Sequence, residues 1–414
     1  MPRLLQSYRP EWLGLLIVFL AGSAASGWYW WVRPSDAELL QSAIRYTDRG
    51  QTGAAMARFD ELLARNPSQS TALLYRGQLA RDAGDLAGAE KFWKRVPDQP
   101  AREGGTARFL EGTLFLEADR PRQAEAAFLK AIELHPDYVK PHERLLKLYV
   151  AQLRAPDIKR ELDAVRRFRT WTLDELLQFA YLTGKVTDTV QSIPRVEKFI
   201  ENDPDDVHSL LALGRYYTWD SRFDDAISVL RRALSCAPRD PAVRAYLAEA
   251  LLDQSELAEA RKVLGGDTAD RDAPQCVWRS HGLYWLAVGE TKKAIACLTR
   301  AAAMDPNDAP AVYKLALTLK QAGDAAAAEM HFRRATLLQQ LHQTLQQLHS
   351  SAFQLKEGDD GSREVAVAKA IEAGKLLTSL HRHAEAAGFF EQALVWNPDS
   401  DAARDLRARA QTRA

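Results

Sequence analysis

The stretches LGRYYTWDSRFDDAISVLRRALSCAP (residues 213–238) and HGLYWLAVGETKKAIACLTRAAAMDP (residues 281–306) align without a gap. Each carries a small residue, Gly214 or Gly282, and an aromatic ring three positions later, Tyr217 or Trp285. Twelve, sixteen, nineteen and twenty-four positions after the glycine stand Ala226 or Ala294, Leu230 or Leu298, Ala233 or Ala301, and Pro238 or Pro306. Apolar residues at helical spacing on both sides of a turn predict two helices. The proline predicts the end of the second, because it has no N–H and forces the residue before it out of helical geometry. A unit this short cannot bury its apolar face alone, so copies of it must stack.

The same register runs through most of the chain. Its small, alanine-like, bulky, alanine-like and proline positions read Ala43, Ala55, Phe59, Leu62 and Pro67, and then Gly77, Ala89, Trp93 and Val96 without a proline. Gly112, Ala124, Phe128, Ala131 and Pro136 follow. Residues 139–206 hold two degenerate copies, the first of which loses the turn glycine and the alanines. Ala248, Ala260 and Leu264 mark a copy cut short by Gly265 and Gly266. Ala316, Ala328, Phe332 and Ala335 mark another, and Gly374, Ala386, Phe390, Ala393 and Pro398 the last. This pattern resembles the tetratricopeptide repeat (TPR) family, whose repeat of about 34 residues pairs two helices with W, L-G, Y, A, F, A and P at these places. The resemblance implies an all-α TPR superhelical solenoid of about ten helix-turn-helix repeats over residues 36–399. Small residues at the first and fourth marks are expected to let paired helices approach, with the bulky residue filling the gap to the next repeat. Residues 400–414 read as a C-terminal capping helix, acids first and arginines later, as the helix dipole prefers.

Ahead of the array, after a short tail at residues 1–11, residues 12–32 carry no charge. A helix of that length spans ~31 Å, about the hydrocarbon thickness of a bilayer. Trp12 opens the run and Trp28, Tyr29, Trp30 and Trp31 close it, where amphipathic rings favour the headgroups. One transmembrane helix, a signal anchor, is therefore expected. Cleavage after Ala24 or Ala25 would satisfy the small-residue rule of a signal peptide, but would leave three tryptophans, a tyrosine and a valine exposed at the new end. Arginines flank the run almost evenly, with Arg3 and Arg9 before it and Arg33, Arg45 and Arg49 after. The signal-like apolar region favours an N-terminus in the cytoplasm, giving a single-pass protein of the inner membrane with an extracytoplasmic array. The alternatives are a secreted or periplasmic adaptor with its signal removed, and a cytoplasm-facing regulator of envelope biogenesis.

Lysine plus arginine equals aspartate plus glutamate at 55 each, so no net charge favours a polyanion and nucleic acid is not an expected partner. Cys236, Cys276 and Cys297 are too few and too scattered for a disulfide framework. No G-x-S-x-G, P-loop, H-E-x-x-H or C-x-x-C pattern occurs, so the expectation is a non-catalytic scaffold with no cofactor, no metal and no small-molecule substrate. His331, His342 and His349 fall along one extended helix, but seven helical residues set the last two ~10.5 Å apart, too far to share an ion. Leu337, Leu338, Leu341, Leu345 and Leu348 on that helix form a contact face that reads as reaching a partner.

The TPR resemblance further implies that a protein or peptide partner lies along the concave face, formed by first-helix positions 2, 5, 6, 9, 12 and 13 of each repeat. Carried onto this chain those positions include His208, Leu211, Arg215, Trp219, Tyr246, Glu249, Arg279, Tyr313, Lys314 and Lys320. Aromatic rings mixed with arginine and lysine suit a peptide bearing acidic or C-terminal carboxylates, offering stacking surface and charge-assisted donors together. The lysine and asparagine arrangement by which chaperone-binding TPR domains clamp a terminal carboxylate is absent.

Overall fold

The computed structural model describes residues 34–180, 189–266, 269–356 and 361–413. The expected anchor at 12–32, with Trp12, Trp28, Trp30 and Trp31, lies outside the described residues. Among the described residues there are 21 helices and no strand, and no helix is long and apolar enough to cross a membrane. The chain divides into two compact units between Glu111 and Gly112.

In the first unit α1 (Asp36–Asp48) pairs with α2 (Thr52–Arg65) and α3 (Ser70–Asp82) with α4 (Leu86–Lys94), before α5 (Ala101–Glu117) begins. Helix α1 opens on a reciprocal cap, in which the Ser35 hydroxyl accepts from the Glu38 N–H and the Glu38 carboxylate accepts from the Ser35 N–H. Ala43, Ala55, Phe59 and Leu62, the register residues of the first repeat, are wholly buried.

In the second unit α6 (Pro121–Leu134) lies against the end of α5 through Phe128 on Gly112, and α7 (Val139–Ala151) pairs with α8 (Ala155–Arg166). Helix α9 (Leu173–Ala180) and α10 (Thr189–Asn202) follow, then α11 (Val207–Trp219) with α12 (Phe223–Cys236) and α13 (Pro241–Asp253) with α14 (Leu257–Leu264). Next come α15 (Gln275–Ala287) with α16 (Thr291–Met304) and α17 (Ala309–Gln321) with α18 (Ala325–Lys356). Helices α19 (Ser362–Ser379), α20 (His383–Trp396) and α21 (Asp401–Gln411) complete it.

The repeat spacing has a direct steric cause. A Cβ built on Gly77 would stand 2.3 Å from the Trp93 indole nitrogen, and one on Gly112 2.6 Å from the Phe128 ring. On Gly214 it would stand 2.4 Å from Leu230, on Gly282 2.6 Å from Leu298, and on Gly374 2.4 Å from Phe390. The bulky residue therefore seats on the small residue of its own helix pair, rather than only filling the gap to the next repeat as the spacing alone suggests. Trp93, Phe128, Leu230, Leu298 and Phe390 are all fully buried there.

Turns between paired helices repeat as strictly. Gly50, Gly84, Asp119, Leu153, Ser221, Ser255, Gly289, Gly323 and His381 all have φ between 53° and 90°. The N–H that follows each reaches back five residues, as Arg222 does to the Tyr217 carbonyl at 2.8 Å and Glu290 to Trp285 at 2.9 Å. The fourth repeat loses its glycine but keeps the turn, with Leu153 at φ 54°. Prolines stop the second helices two residues early: α12 ends at Cys236 before Pro238, and α16 at Met304 before Pro306. Two residues later again Asp240 and Asp308 accept from the first N–H groups of α13 and α17, so one short Pro-x-Asp segment ends a helix and begins the next.

Helix α9 leaves this succession. Leu173, Leu176 and Leu177 are buried in one cluster with Leu338, Leu341, Leu345 and Leu348 of α18, residues of α19, and Phe389 and Phe390 of α20. The leucine face expected to reach a partner is thus covered largely by the chain itself. Meanwhile α11 bonds directly to the end of α7: Tyr216 donates to the Ala151 carbonyl at 3.3 Å and Arg215 to the Leu153 carbonyl at 3.0 Å. Gln152 donates to Asp206 at 2.8 Å and to Ser209 at 3.1 Å in the same contact. Arg169 grips both oxygens of Glu175 at 2.8 Å, and the Thr172 N–H donates to Glu175 at 2.7 Å, fixing the start of α9. Burial raises the Glu175 pKa, but Arg169 and Thr172 outweigh it and hold the carboxyl below 4.5.

Gly282→Ala is expected to cost about 1–3 kcal/mol by overpacking against Leu298, read as a lower melting temperature with helicity retained. At Gly388 a Cβ would meet Leu176 at 2.5 Å, so Gly388→Val is expected to undock α9 and raise amide exchange at 173–180 at least tenfold. Because the Glu175 pKa is lowered on folding, its contribution is complete above the ordinary 4.5 and is lost as pH falls through the lowered value. The native chain should therefore show the same loss of protection in acid, and unchanged exchange in both tests would refute the docking contact.

Candidate partner-binding surface

Consecutive first helices carry the expected contact residues: His208, Leu211, Arg215 and Trp219 on α11, Tyr246 and Glu249 on α13, Arg279 on α15, and Tyr313, Lys314 and Lys320 on α17. Positions four apart on one helix face the same way, and stacking repeats each set beside the next. The middle of this row is brought together as one network.

Tyr246 lies between two guanidinium groups, with the central carbon of Arg215 at 4.5 Å and that of Arg279 at 5.4 Å from its ring centre. Arg215 also lies 5.4 Å from the Trp219 ring, and its Nη1 is the donor to Leu153 already described. Such cation–π contacts contribute roughly 0.5–2 kcal/mol each, and more as water is excluded.

Arg279 is bound on two sides. Its Nε and Nη2 donate to the two oxygens of Glu249, both at 2.9 Å, and Nη1 donates to Asp308 at 2.6 Å. Ser280 adds a donor to Glu249 at 2.6 Å and Gln275 one to Asp308 at 2.7 Å. The Arg279 side chain is 15% exposed and that of Asp308 7%. Burial alone would lower the Arg279 pKa, but Glu249 and Asp308 together raise it well above the ordinary arginine value. The Cys276 thiol beside this network is pushed up to about 11 by burial and by Glu249, which keeps it a neutral packing group. Arg279, Glu249 and Asp308 therefore clamp three successive first helices to one another, with Asp308 capping α17 at the same time.

Of the remaining residues Leu211 is half-buried against the core, and the others face solvent. His208, Lys314 and Lys320 are exposed, and Tyr313 is 50% exposed with its ring 5.8 Å from Phe332 in an edge contact. Lys314 is sensed by Asp253 on α13, whose carboxyl is raised by burial and by Glu249 against the pull of that lysine. Sequence reasoning did not include Gln275, Ser280 or Asp308, although Asp308 is legible as a cap from its place two residues after Pro306. Chemically the row offers a cross-braced aromatic and guanidinium centre with exposed lysines beside it, and no nucleophile–base pair.

A tetratricopeptide repeat family model matches residues 120–343, and a second one matches residues 40–102. Among solved structures the chain is similar to the APC/C hetero-tetramer Cut9-Hcn1, at 13% identity over 92% of this chain and 97% of that one, with a TM-score of 0.37. It is similar to a tetratricopeptide repeat protein from Parabacteroides merdae at 15% identity, over 69% of this chain and 98% of that one, with a TM-score of 0.31. A thermophilic TPR protein from Thermus thermophilus is similar at 20% identity over 50% of this chain and 98% of that one, with a TM-score of 0.29. No curated protein matches the sequence.

Removing Arg279 leaves the carboxylates of Glu249 and Asp308, 15% and 7% exposed, without their shared cation. Arg279→Ala is expected to cost about 3–5 kcal/mol, and Arg279→Lys to recover less than half of that, since a point charge cannot satisfy both oxygens of Glu249 and Asp308 together. Thermal or urea unfolding reads the difference; a lysine variant as stable as the native chain would show that the fork geometry is not required.

Proposed function

The chain belongs to the tetratricopeptide repeat family, and from that premise we propose that it is a non-catalytic scaffold of a bacterial cell envelope. In this reading residues 12–32 hold it in the inner membrane as a single-pass anchor, and the first-helix face of the array binds a peptide or protein partner. The observation that carries the proposal is the row itself: Arg215, Tyr246 and Arg279 are locked into a rigid centre, while Tyr313, Lys314 and Lys320 stand exposed beside it. A preformed aromatic surface lowers the ordering cost of binding, and free lysines supply charge-assisted donors to a partner's carboxylates. TPR proteins act generally in protein–protein interaction, which supports this reading. The anchor rests on the uncharged run and its aromatic ends.

Crosslinked capture from membranes tests both parts. Lys314→Glu with Lys320→Glu is expected to reduce recovery of the captured partner at least tenfold with unchanged melting, because neither lysine belongs to the Arg279 clamp. Recovery unaffected by the double change would remove the surface. The protein is expected to stay with membranes after a carbonate wash; release as a shortened chain beginning at Ala25 or Ser26 would favour the secreted adaptor.

A further inference from the structure

Helix α18 leaves a groove along its own first turns. It has 32 residues and the paired α19 has 18, so α18 continues past the point where α19 ends and the chain turns at His381. There a groove of about 630 Å³ lies between α18 and the end of α19. Ala326, Met330, Arg333 and Leu337 stand at the spacing of one helix face and line one side, with Ser379 and His381 on the other. The groove is open to solvent: Met330 is 60% exposed, Ala326, Arg333, Ser379 and His381 are exposed, and Leu337 is half-buried.

This groove joins accessible apolar surface to uncompensated positive charge. Met330 is flexible and polarisable, suited to covering side chains of varied shape. Around it stand Arg333, Arg334, His331 and His381, and the one carboxylate in the lining, Glu329, is already taken by Arg333 at 2.9 Å. The Arg334 guanidinium is held in place by the Pro306 carbonyl and by Asn307, while its Nη1 has no acceptor among the described residues. Burial and Arg382 lower the Arg334 pKa against the pull of Asp305, and burial and Arg334 lower that of His331, so the groove is short of the carboxylates its cations favour. From Ala326 to Leu337 the face runs eleven residues, ~16.5 Å, the length of about five residues of extended chain.

We propose that this groove binds a short acidic peptide segment in extended form, with a large apolar side chain between carboxylates. The apolar side chain covers Met330 and Leu337, and the carboxylates accept from Arg333, Arg334 and His381 in charge-assisted bonds. A bare anion would leave the apolar stripe in water, and an uncharged chain would leave the guanidinium groups unmatched. The groove is built from a second helix and a turn, so it is separate from the first-helix row and does not rest on the function proposed for that row.

The test uses the full chain in neutral detergent micelles, with its four methionines carrying carbon-13 methyl groups. The Met330 signal is the one that disappears in Met330→Leu, and Met56, in the first unit, serves as the internal reference. Added acetyl-Gly-Glu-Leu-Glu-Gly-amide is expected to move the Met330 signal to saturation and to leave Met56 in place. The peptide with glutamine for both glutamates, and the peptide with alanine for leucine, are each expected to bind at least tenfold more weakly. Arg333→Gln with His381→Asn is expected to weaken the acidic peptide at least tenfold with unchanged melting, since both side chains are exposed and asparagine keeps the left-handed backbone of that turn. A Met330 signal that does not move, a control peptide that binds as well, or an unaffected double variant would each overturn the proposal. So would saturation by inorganic phosphate alone or by phosphatidylglycerol added to the micelles, which would assign the groove to a bare anion or to lipid.

Discussion

A helix cut down to a hydrogen atom at one position, facing a bulky side chain sixteen residues later, is the contact on which the helix pairs of this chain depend. With no Cβ at Gly77, Gly112, Gly214, Gly282 or Gly374, the opposing ring or isobutyl group sits directly on the backbone. The distance between the helices is set there, and it is short enough to bury the flanking alanines. Ala226, Ala233, Ala294, Ala301, Ala386 and Ala393 are accordingly fully buried. Each pair then offers the next a surface of constant shape. Because every pair touches mainly its neighbours, a defect in one copy is absorbed locally and need not spread. That tolerance explains how the chain keeps its array while carrying a displaced helix and a truncated one.

Much of this was open to reading because it is periodic. Gly214 with Leu230 and Gly282 with Leu298 show the spacing twice in identical register, and prolines and aspartates mark the joints. The turn at Leu153 was less legible, since the left-handed conformation is ordinarily signalled by glycine and here is imposed by the helices on either side. Docking of α9 left no signal at all. Leu173, Leu176 and Leu177 have the spacing of any amphipathic helix, and spacing says that a face is buried without saying which of the available surfaces buries it. The cover comes from α18, α19 and α20, well over 100 residues away along the chain.

For the candidate surface the sequence located the positions but not their partners. Arg279 and Glu249 were both placed on the first-helix face, and each was read as available to a ligand, when each satisfies the other. A usable sign was present in the spacing. Many side chains that meet across a repeat junction lie 28 to 33 residues apart: Arg231 with Glu259, Arg279 with Glu249, Gln254 with Asp224, Ser280 with Glu249, and Gln275 with Asp308. Arg95 and Arg334 reach the carbonyls of Pro67 and Pro306 at the same separation. Residues that bridge consecutive repeats are therefore a little closer in sequence than one full period, because the chain advances by a repeat while the side chains lean back over the turn before their own Cα. An arginine with a glutamate about 30 residues before it and an aspartate 29 after it is, in such an array, already paired.

The same geometry governs how the array absorbs its truncated helix. Shortening α14 to 8 residues leaves Trp278 half-buried while Trp285 stays buried at 4% exposure, and Arg271 of the replacement loop stands exposed beside them. Gly265 is what enforces the change. A residue with a Cβ at that position would stand against the Arg244 guanidinium, 1.9 Å from its nearest atom, and would lose the left-handed backbone that ends the helix. Arg244 in turn is held by the carbonyls that the early stop sets free, so the truncation is stabilised by its own consequences.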